Sequence, residues 1–238
     1  MTRIHLDRVL APGDAVPLPD THAHHLGVVL RLQPGAELEV IDRSGARFGG
    51  RLVAGPPLGV EVLDARSAVG TDLAGELEVW LPLLKGGRSD DLVRQLTELG
   101  ATRIVPWTGR RSVARAQGGK SGQKLARWRT IAREACQQCG RARAPEVAEP
   151  GGLPDAGPGV FFYEGGGALA REALAGAVEG GRLRVLTGPE GGLDPDEVEQ
   201  LRRAGWVAAH LGPRVLRADT AVLCAATLAL HALGEGGF

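Results

Sequence analysis

The chain has 238 residues, of which 43% are hydrophobic and 24% charged, and its 28 basic and 28 acidic side chains give a net charge of zero. This is the composition of an ordinary globular protein with one large domain, or with one medium and one small domain. No apolar run approaches the roughly 20 residues of a membrane span, and the first residues lack the apolar core of a signal peptide. We therefore expect a cytoplasmic protein whose three cysteines are reduced.

The first 70 residues have the pattern of an all-β domain. Four apolar runs of strand length alternate with turn clusters rich in glycine and proline: Leu26–Leu32, Leu38–Ile41, Phe48–Val53 and Val60–Leu63. Short strands at this spacing are typical of small barrels. We therefore expect a β-barrel of about five strands over residues 1–70.

From residue 71 to residue 238 the pattern changes to alternating strands and helices. Two helix starts carry specific signals, which are Ser89 as an N-cap and Asp194 followed by a proline and by Glu197 at the capping-box position. The alternation predicts a mostly parallel α/β sheet that binds ligands at the carboxyl ends of its strands. The expected strands are Leu77–Leu84, Thr102–Pro106, Val160–Tyr163, Leu183–Leu186 and Trp206–Leu211, and the expected helices are Ser89–Leu99, Gly122–Cys139, Ala168–Val178, one from Asp194 and Thr220–Leu233.

Positive charge is concentrated in the middle of the chain. Residues 85–143 contain 14 Lys and Arg against four acidic residues, a net charge of +10. Such a segment is typical of a surface that binds phosphates, most simply those of a nucleic acid. The alternative is a solvated face in an arginine-rich protein, since 25 of the 28 basic residues are arginine.

Neither the cysteines nor the histidines form a metal-binding pattern. Cys136 and Cys139 have the spacing of a ligand pair, but the sequence has no second pair, and zinc requires four ligands. The pair falls at the end of a predicted helix, whereas a redox pair favours a helix start. His22, His24 and His25 lie together in a stretch without cysteine. We expect buried or half-buried thiols and no metal.

Two segments near the C-terminus each follow a predicted strand and place glycine and proline where that strand ends. They are Leu186-Thr-Gly-Pro-Glu-Gly-Gly192 and Leu211-Gly-Pro-Arg-Val-Leu-Arg-Ala-Asp-Thr220. The backbone must turn sharply at these points and can approach a ligand closely. The first segment lacks the G-x-G-x-x-G pattern of dinucleotide-binding proteins. Together the segments predict a pocket for a flat, polar small molecule.

These segments resemble motifs of the RsmE family, the ribosomal RNA uridine-N3 methyltransferases of the SPOUT class, which use S-adenosylmethionine (SAM). Further blocks in the family's order extend the resemblance along the whole chain: His25-Leu-Gly-Val-Val-Leu-Arg31; Leu96-Thr-Glu-Leu-Gly100 with Ile104-Val-Pro106 and Arg111-Ser-Val113; and Trp128 with Ile131-Ala-Arg-Glu-Ala-Cys136-Gln-Gln-Cys-Gly-Arg141 and Pro145. One departure is Asp219-Thr-Ala221, where the family usually has Glu-Thr-Ala.

The resemblance implies a fold, a cofactor and an assembly. The fold is a PUA-like, RNA-binding β-barrel over residues 1–70 and a SPOUT α/β domain over residues 71–238, with a deep trefoil knot across residues 183–233. SAM is expected between the two glycine-rich segments, in a site that a homodimer completes. The residues expected to bind SAM are Leu186, Thr187, Gly188, Pro189, Glu190, Gly191, Gly192, Leu211, Gly212, Val215 and Leu216.

The resemblance also implies the substrate. It is N3 of a uridine in 16S rRNA of the small ribosomal subunit, the family's target being uridine-1498, and the product is 3-methyluridine. The target base must be flipped out or single-stranded to reach the pocket. The residues expected to bind RNA are His25, Arg31, Arg88, Arg110, Arg111, Arg133 and Arg141.

Three residues are candidates for the chemistry. Because N3 of uridine carries a weakly acidic proton, Arg217 is expected to stabilise the uridine anion at O2 or O4 as a permanently charged donor. Asp219 or Glu190 is expected to take the proton or to orient Arg217. Two alternatives stay open: Glu190 as a capping or dipole-stabilising residue of the next helix, and Asp219 as the N-cap of the last helix.

Other functions also stay open at the level of the sequence. A SPOUT methyltransferase acting on a ribose 2′-OH of tRNA or rRNA is the first alternative, and the signature between His25 and Arg31 argues against it. A non-catalytic RNA-binding factor of ribosome assembly is the second, and the intact glycine segments argue against that.

Overall fold

The computed structural model of the chain describes residues 2–66, 72–112 and 120–234. The chain divides into two compact units, one comprising Met1–Asp72 with Cys136–Arg143 and the other Leu73–Ala135 with Ala144–Phe238. The boundary predicted between residues 70 and 71 lies outside the described residues. Within the described ranges, no helix has both the length and the apolarity that a bilayer span demands.

The first unit contains a five-stranded sheet. Its strands are β1 (Arg3–His5), β2 (Ala15–Pro17), β3 (Glu37–Ile41), β4 (Arg47–Val53) and β5 (Gly59–Arg66). They lie in the order β1-β3-β4-β5-β2, with β1 parallel to β3 and the other neighbours antiparallel. Alternate side chains of these strands form one buried core. The predicted strand number is confirmed, whereas β1 and β2 stand at the two edges, so closure into a PUA-like barrel stays a prediction.

The predicted strand Leu26–Leu32 is wrong, because most of this run is helical. Helix α1 (Asp20–His24) continues directly into a π-helical turn over His25–Val29. Leu26 is fully buried while Val28 is 60% exposed. The run therefore packs against the core through Leu26 and Leu32 and lacks the regular alternation of a half-buried strand.

The second unit contains a seven-stranded sheet in which every neighbouring pair is parallel. Its strands are β6 (Glu76–Pro82), β7 (Arg103–Trp107), β8 (Glu146–Val147), β9 (Gly159–Phe162), β10 (Ala168–Leu169), β11 (Arg182–Thr187) and β12 (Trp206–His210). Its helices are α2 (Arg88–Leu99), α3 (Lys120–Cys139), α4 (Ala170–Ala177), α5 (Pro195–Arg203) and α6 (Ala218–Ala232). The strand order is β10-β12-β9-β11-β6-β7-β8. The predicted parallel α/β sheet is confirmed.

Both faces of this sheet are buried where its central strands lie. Along β9, Val160 and Phe162 belong to a large cluster that includes residues of α2, α4 and α6, while Phe161 belongs to a smaller cluster with α5. Burial of successive residues on opposite faces is the pattern of a parallel sheet covered on both sides. The packing fixes the carboxyl ends of β9, β11 and β12 relative to one another.

The capping box predicted at Asp194 is confirmed. Its Oδ1 accepts a hydrogen bond from the amide of Asp196 at 3.1 Å, and Glu197 Oε2 accepts one from the amide of Asp194 at 2.8 Å. These bonds satisfy amide groups that a helix leaves unpaired at its start. The start of α5 is therefore fixed just after the first glycine-rich segment.

The N-cap predicted at Ser89 is wrong. Helix α2 begins one residue earlier, at Arg88, and Gly87 holds the N-cap position without a side-chain hydrogen bond. The Ser89 hydroxyl is buried and accepts a hydrogen bond from the amide of Leu84 at 3.1 Å. The serine therefore anchors the loop between β6 and α2 and does not cap the helix.

Candidate functional site

A cavity of about 690 Å³ lies at the carboxyl ends of β9, β11 and β12, which are adjacent strands. Two loops form much of its wall: the β11 loop (residues 188–193) and the β12 loop (residues 211–217). The volume is in the range of pockets that enclose small ligands. The structure thus brings the two glycine-rich segments together, as the sequence predicted.

Ten of the eleven residues predicted to bind the small molecule line this cavity: Thr187, Gly188, Pro189, Glu190, Gly191, Gly192, Leu211, Gly212, Val215 and Leu216. Leu186 does not line it. Its side chain is fully buried in the smaller apolar cluster, because the residues of β11 alternate between the two faces of the sheet. Leu186 therefore supports the wall from behind.

The β11 loop is packed too closely to accept side chains at two of its glycines. A Cβ on Gly191 would lie 2.8 Å from the carbonyl oxygen of Arg111, and one on Gly192 would lie 2.5 Å from Glu164 Oε1. Gly192 also has a φ of +73°, which favours glycine. Both glycines line the cavity.

Thr187, which lines this cavity, carries a buried hydroxyl without a hydrogen-bond partner among the described residues. The Thr187 residue is 3% exposed. A buried hydroxyl without a partner costs free energy. A polar ligand in the cavity would supply the missing hydrogen bond.

The β12 loop makes a second turn that depends on glycine. Gly212 has a φ of +99°, and its amide donates a hydrogen bond to His210 Nδ1 at 3.2 Å. Further along, the Val215 side chain is 86% exposed at the edge of the cavity. An apolar side chain held in solvent beside a polar turn is available to cover a bound ligand or to meet a partner.

The structure separates two of the chemical candidates. Arg217 is exposed, lines the cavity and holds the N-cap position of α6. Asp219 lies in the first turn of α6, its Oδ1 accepts from the amide of Thr220 at 2.9 Å, and it does not line the cavity. The alternative that Asp219 is the N-cap is wrong, because Arg217 holds that position.

Glu190 lines the cavity and bridges two loops. Its Oε1 accepts a hydrogen bond from the amide of Lys85 at 3.1 Å and lies 3.8 Å from Arg88 Nη1. The alternative that Glu190 caps the following helix is wrong, because Asp194 performs that role. The contacts of the Glu190 carboxylate are with the loop between β6 and α2, and not with Arg217.

Tyr163, Glu164 and His210 also line the cavity, although the sequence analysis did not select them. Tyr163 and Glu164 directly follow β9, and His210 is the last residue of β12. A signal was present, since ligands of parallel sheets bind where strands end. The end of β9 also carries a glycine signal, because Gly165, Gly166 and Gly167 follow Glu164, and the prediction from the two C-terminal segments did not include it.

Four of the residues predicted to bind RNA have exposed side chains, and one of them, Arg88, lies 3.8 Å from the carboxylate of Glu190. His25 is the first residue of the π-helical turn in the first unit, and Arg31 follows that turn. In the second unit Arg88 is the first residue of α2 and Arg133 lies within α3. Arg31 has a φ of +53°, a conformation that is costly for a residue with a Cβ and is often retained for function.

Arg110 and Arg111 are exposed, but acidic side chains at the start of α5 accompany them. Arg110 pairs with Asp196 and lies 3.6 Å from Asp194, and Arg111 lies 3.4 Å from Asp194. The hydrogen bond to Asp196 raises the pKa of Arg110. These ion pairs reduce the positive charge that the loop presents to a phosphate.

The prediction that Arg141 binds RNA is wrong for this structure. Its side chain is 4% exposed, and its Nε lies 3.3 Å from Asp72 Oδ1. A buried guanidinium paired with a carboxylate would leave an uncompensated charge if it turned to RNA. Arg141 therefore holds part of the first unit together.

The cysteines fit a structural role. Cys136 is buried, its Sγ donates to the carbonyl of Arg143 at 3.5 Å, and burial raises the pKa of its thiol to about 12. A thiol that does not ionise near neutral pH is a poor nucleophile and a poor metal ligand. Among the residues that the structure describes, no group of His, Cys, Asp or Glu is arranged to hold a metal ion.

Comparisons with known proteins agree with this site. A family model described as an RNA methyltransferase domain matches residues 71–230, which include both loops of the cavity. The chain is 34% identical to the ribosomal RNA small subunit methyltransferase E of Mycobacterium bovis, over 91% of this chain and 88% of that protein. It is 30% identical to the Bacillus subtilis protein of the same name, over 85% of this chain and 84% of that protein.

A solved structure of a similar protein contains bound S-adenosyl methionine. The ribosomal RNA small subunit methyltransferase E of Neisseria gonorrhoeae, crystallised with bound S-adenosyl methionine, is 28% identical to this chain, with a TM-score of 0.84 and 97% of each chain covered. The same architecture therefore binds SAM in a protein of this name.

Proposed function

Because this chain belongs to the RNA methyltransferase family, among the ribosomal RNA small subunit methyltransferase E proteins, we propose that it transfers a methyl group from SAM to N3 of a uridine in 16S rRNA. The observation that carries the proposal is the cavity at the ends of β9, β11 and β12, whose two glycine-rich loops lie inside the region that the family model matches. The proposed product is 3-methyluridine, at the position corresponding to uridine-1498.

The cavity fits SAM in its chemistry. Within the part of the chain that the structure describes, the buried Thr187 hydroxyl has no partner, and Gly191 and Gly192 of the β11 loop line the cavity. Glu164 adds a carboxylate, which suits a ligand with an amino group and ribose hydroxyls. When bound, SAM supplies an activated methyl group on a sulfonium, which is a good leaving group.

The main task left to the protein is to position the uridine and to stabilise its anion. Arg217 lines the cavity at the start of α6, so its guanidinium is available to donate hydrogen bonds to O2 or O4 while N3 loses its proton. Asp219, two residues later, is proposed to orient Arg217 or to receive that proton. It is one methylene shorter than the family's usual glutamate.

RNA is proposed to bind through the exposed basic residues of both units. The exposed members of the predicted set are His25 and Arg31 in the first unit and Arg88, Arg110, Arg111 and Arg133 in the second. Contacts of this kind set the position of the RNA through its phosphates and do not read its sequence. The uridine itself would be recognised after it has left the base stack.

The proposal includes three features of the family's architecture. The first unit would be a PUA-like barrel, residues 183–233 would form a trefoil knot, and a homodimer would complete each site. The parallel sheet with β12 next to β9, and the small residues of α6 against β6 and β11, are compatible with such a knot. Since its substrate is ribosomal RNA, the protein would act in the cytoplasm.

Nucleoside mass spectrometry tests the proposal directly. Small ribosomal subunits from a strain lacking the modification would be incubated with the purified protein and labelled SAM. We expect labelled 3-methyluridine from the wild type and a loss of at least about 100-fold in kcat for Arg217→Ala, the size found when one charge-stabilising donor is removed. Arg171→Ala is the matched control, because Arg171 is exposed on α4 and does not line the cavity.

The other functions are outcomes of the same experiment. A label on ribose would identify the chain as a 2′-O-methyltransferase. SAM binding without any label on the subunits, from wild-type protein, would contradict the proposed substrate. Failure to bind SAM would favour a non-catalytic factor in ribosome assembly.

A further inference from the structure

The Glu190 carboxylate joins two loops that follow neighbouring strands. β11 pairs with β6 in the sheet, so the β11 loop and the loop between β6 and α2 leave the same edge side by side. The Glu190 side chain, on the β11 loop, accepts a hydrogen bond from the amide of Lys85, in the loop between β6 and α2. The same oxygen lies 3.8 Å from Arg88 Nη1, and both Glu190 and Arg88 line the cavity.

The loop between β6 and α2 has little packing to hold its central residues in place. A Cβ on Gly86 or on Gly87 would meet no atom within 4 Å, and α2 begins without a side-chain cap. Ser89 fixes the base of the loop through the amide of Leu84. The Glu190 carboxylate is a second tie, one residue further along the loop, and it comes from the wall of the cavity.

Glu190 and Arg88 differ in solvent exposure, as expected if Glu190 supports Arg88 and Arg88 contacts a ligand. The Glu190 side chain is 24% exposed, whereas that of Arg88 is 44% exposed. One carboxylate oxygen is already engaged with an amide donor and a guanidinium, which suits a group that orients others more than one that collects a proton from substrate. Arg88, by contrast, keeps donors available to solvent.

We infer that Glu190 is a positioning residue that holds Arg88 at the rim of the cavity to receive a phosphate of the substrate RNA next to the target nucleotide. Arg88 is the residue that touches the RNA, and Glu190 acts through it and through the Lys85 backbone. A guanidinium matches a phosphate with paired N–H donors, and a flanking carboxylate limits the directions that it samples. The inference rests on the proposed function.

The test is a set of single and double substitutions with steady-state methylation of small subunits. Glu190→Gln keeps an oxygen for the Lys85 amide and removes the charge beside Arg88. We expect its KM for the subunit to rise about two- to five-fold, as for a partly exposed ion pair, with kcat and the pH dependence of kcat unchanged. Arg88→Ala should raise KM about ten-fold, and adding Glu190→Gln to it should cause no further rise.

Glu190→Ala removes the tie to Lys85 as well, and its KM should rise more than that of Glu190→Gln. The SAM dissociation constant of both variants should stay within about three-fold of the wild type, because the glycines that shape the cavity are kept. The matched control is Glu199→Gln, since Glu199 is an exposed acid on α5 that pairs with Arg203 and does not line the cavity. It should leave KM unchanged.

Three results would overturn the inference. A large loss of kcat in Glu190→Gln with an altered pH profile would make Glu190 the general base. If Glu190→Gln lowered both the thermal stability and the SAM affinity but left the KM for the subunit unchanged, the role of Glu190 would be purely structural. Additive effects of Glu190→Gln and Arg88→Ala on KM would show that the two residues act separately.

Failure of the proposed function would be recognised separately. If the wild type formed no 3-methyluridine, the same variants would be compared by fluorescence anisotropy with an RNA fragment of the small subunit. Non-additive losses of RNA affinity would then still support Glu190 as the residue that positions Arg88, and additive or absent losses would reject it.

Discussion

The substitution Thr187→Val separates cofactor binding from the stability of the fold. The Thr187 side chain is almost fully buried beside the cavity, and within the described residues its Oγ1 has no hydrogen-bond partner. Valine replaces the hydroxyl with a methyl group of similar size. The protein alone loses no hydrogen bond on this change, whereas a ligand bonded to Oγ1 loses one.

The two effects therefore have opposite signs. A buried hydroxyl without a partner costs about 1–3 kcal/mol, so we expect the free energy of unfolding without SAM to rise by about 1 kcal/mol. For a chain of this length that raises Tm by about 2–4 °C. Loss of one hydrogen bond of about 0.5–1.5 kcal/mol should weaken SAM binding by about two- to twelve-fold.

Thermal unfolding without SAM and calorimetric titration with SAM measure these quantities. Thr187→Ser is the control, because it keeps the hydroxyl and loses a buried methyl group. It should retain SAM affinity and lose about 1 kcal/mol of stability. A valine variant that is less stable than the wild type, or that binds SAM equally well, would refute the assignment of the Thr187 hydroxyl to the ligand.

Two further predictions concern acid stability and the β11 loop. Burial, with Arg3 and Arg47 nearby, lowers the pKa of His5 from 6.5 to about 4, so the unfolded state binds the proton first as the pH falls. The free energy of unfolding, measured by urea titration, should drop by about 1–2 kcal/mol from pH 7.5 to pH 5, allowing for partial exposure of the ring. The drop should be smaller for His5→Gln. An equal drop in the variant and the wild type would contradict the assignment of this pH dependence to His5. Gly191→Ala should weaken SAM binding at least about five-fold, because the loop must shift away from a carbonyl 2.8 Å from the new Cβ. Gly176→Ala in α4, whose Cβ would meet nothing within 4 Å, is the control that should leave affinity unchanged.

Local signals in the sequence predicted those parts of the fold that local interactions determine. The capping box at Asp194 and the helix end at Leu99 each depend on residues that are close in sequence, and both are present. An apolar run of seven residues such as Leu26–Leu32 fits either a strand or a helix. Only the tertiary contacts, which bury Leu26 and leave Val28 exposed, decide between them.

The two binding loops were predictable, but the partners of their side chains were not. Glycine and proline at strand ends are visible in the sequence, and the carboxyl edge of a parallel sheet brings such ends together. The hydrogen bond of Glu190 joins residues 105 positions apart, and that of Arg110 with Glu197 joins residues 87 apart. Such pairs depend on strand order, because β11 lies next to β6 in the sheet and far from it in the chain.

Strand order also determines how much of the positive charge of residues 85–143 remains unpaired on the surface. Its charge of +10 counts residues that are close in sequence, whereas an RNA phosphate meets the charges that are close in space. Arg103 lies against Glu78 and Glu146, Arg110 and Arg111 lie against acids of α5, and Arg141 is buried with Asp72. All of these acids lie outside the segment, so the surface offered to RNA is less basic than the sequence suggests. We propose that the arginines that bind RNA are those whose acidic neighbours leave part of the guanidinium exposed, and Arg88, whose side chain is 44% exposed beside Glu190, is one of them at the rim of the cavity.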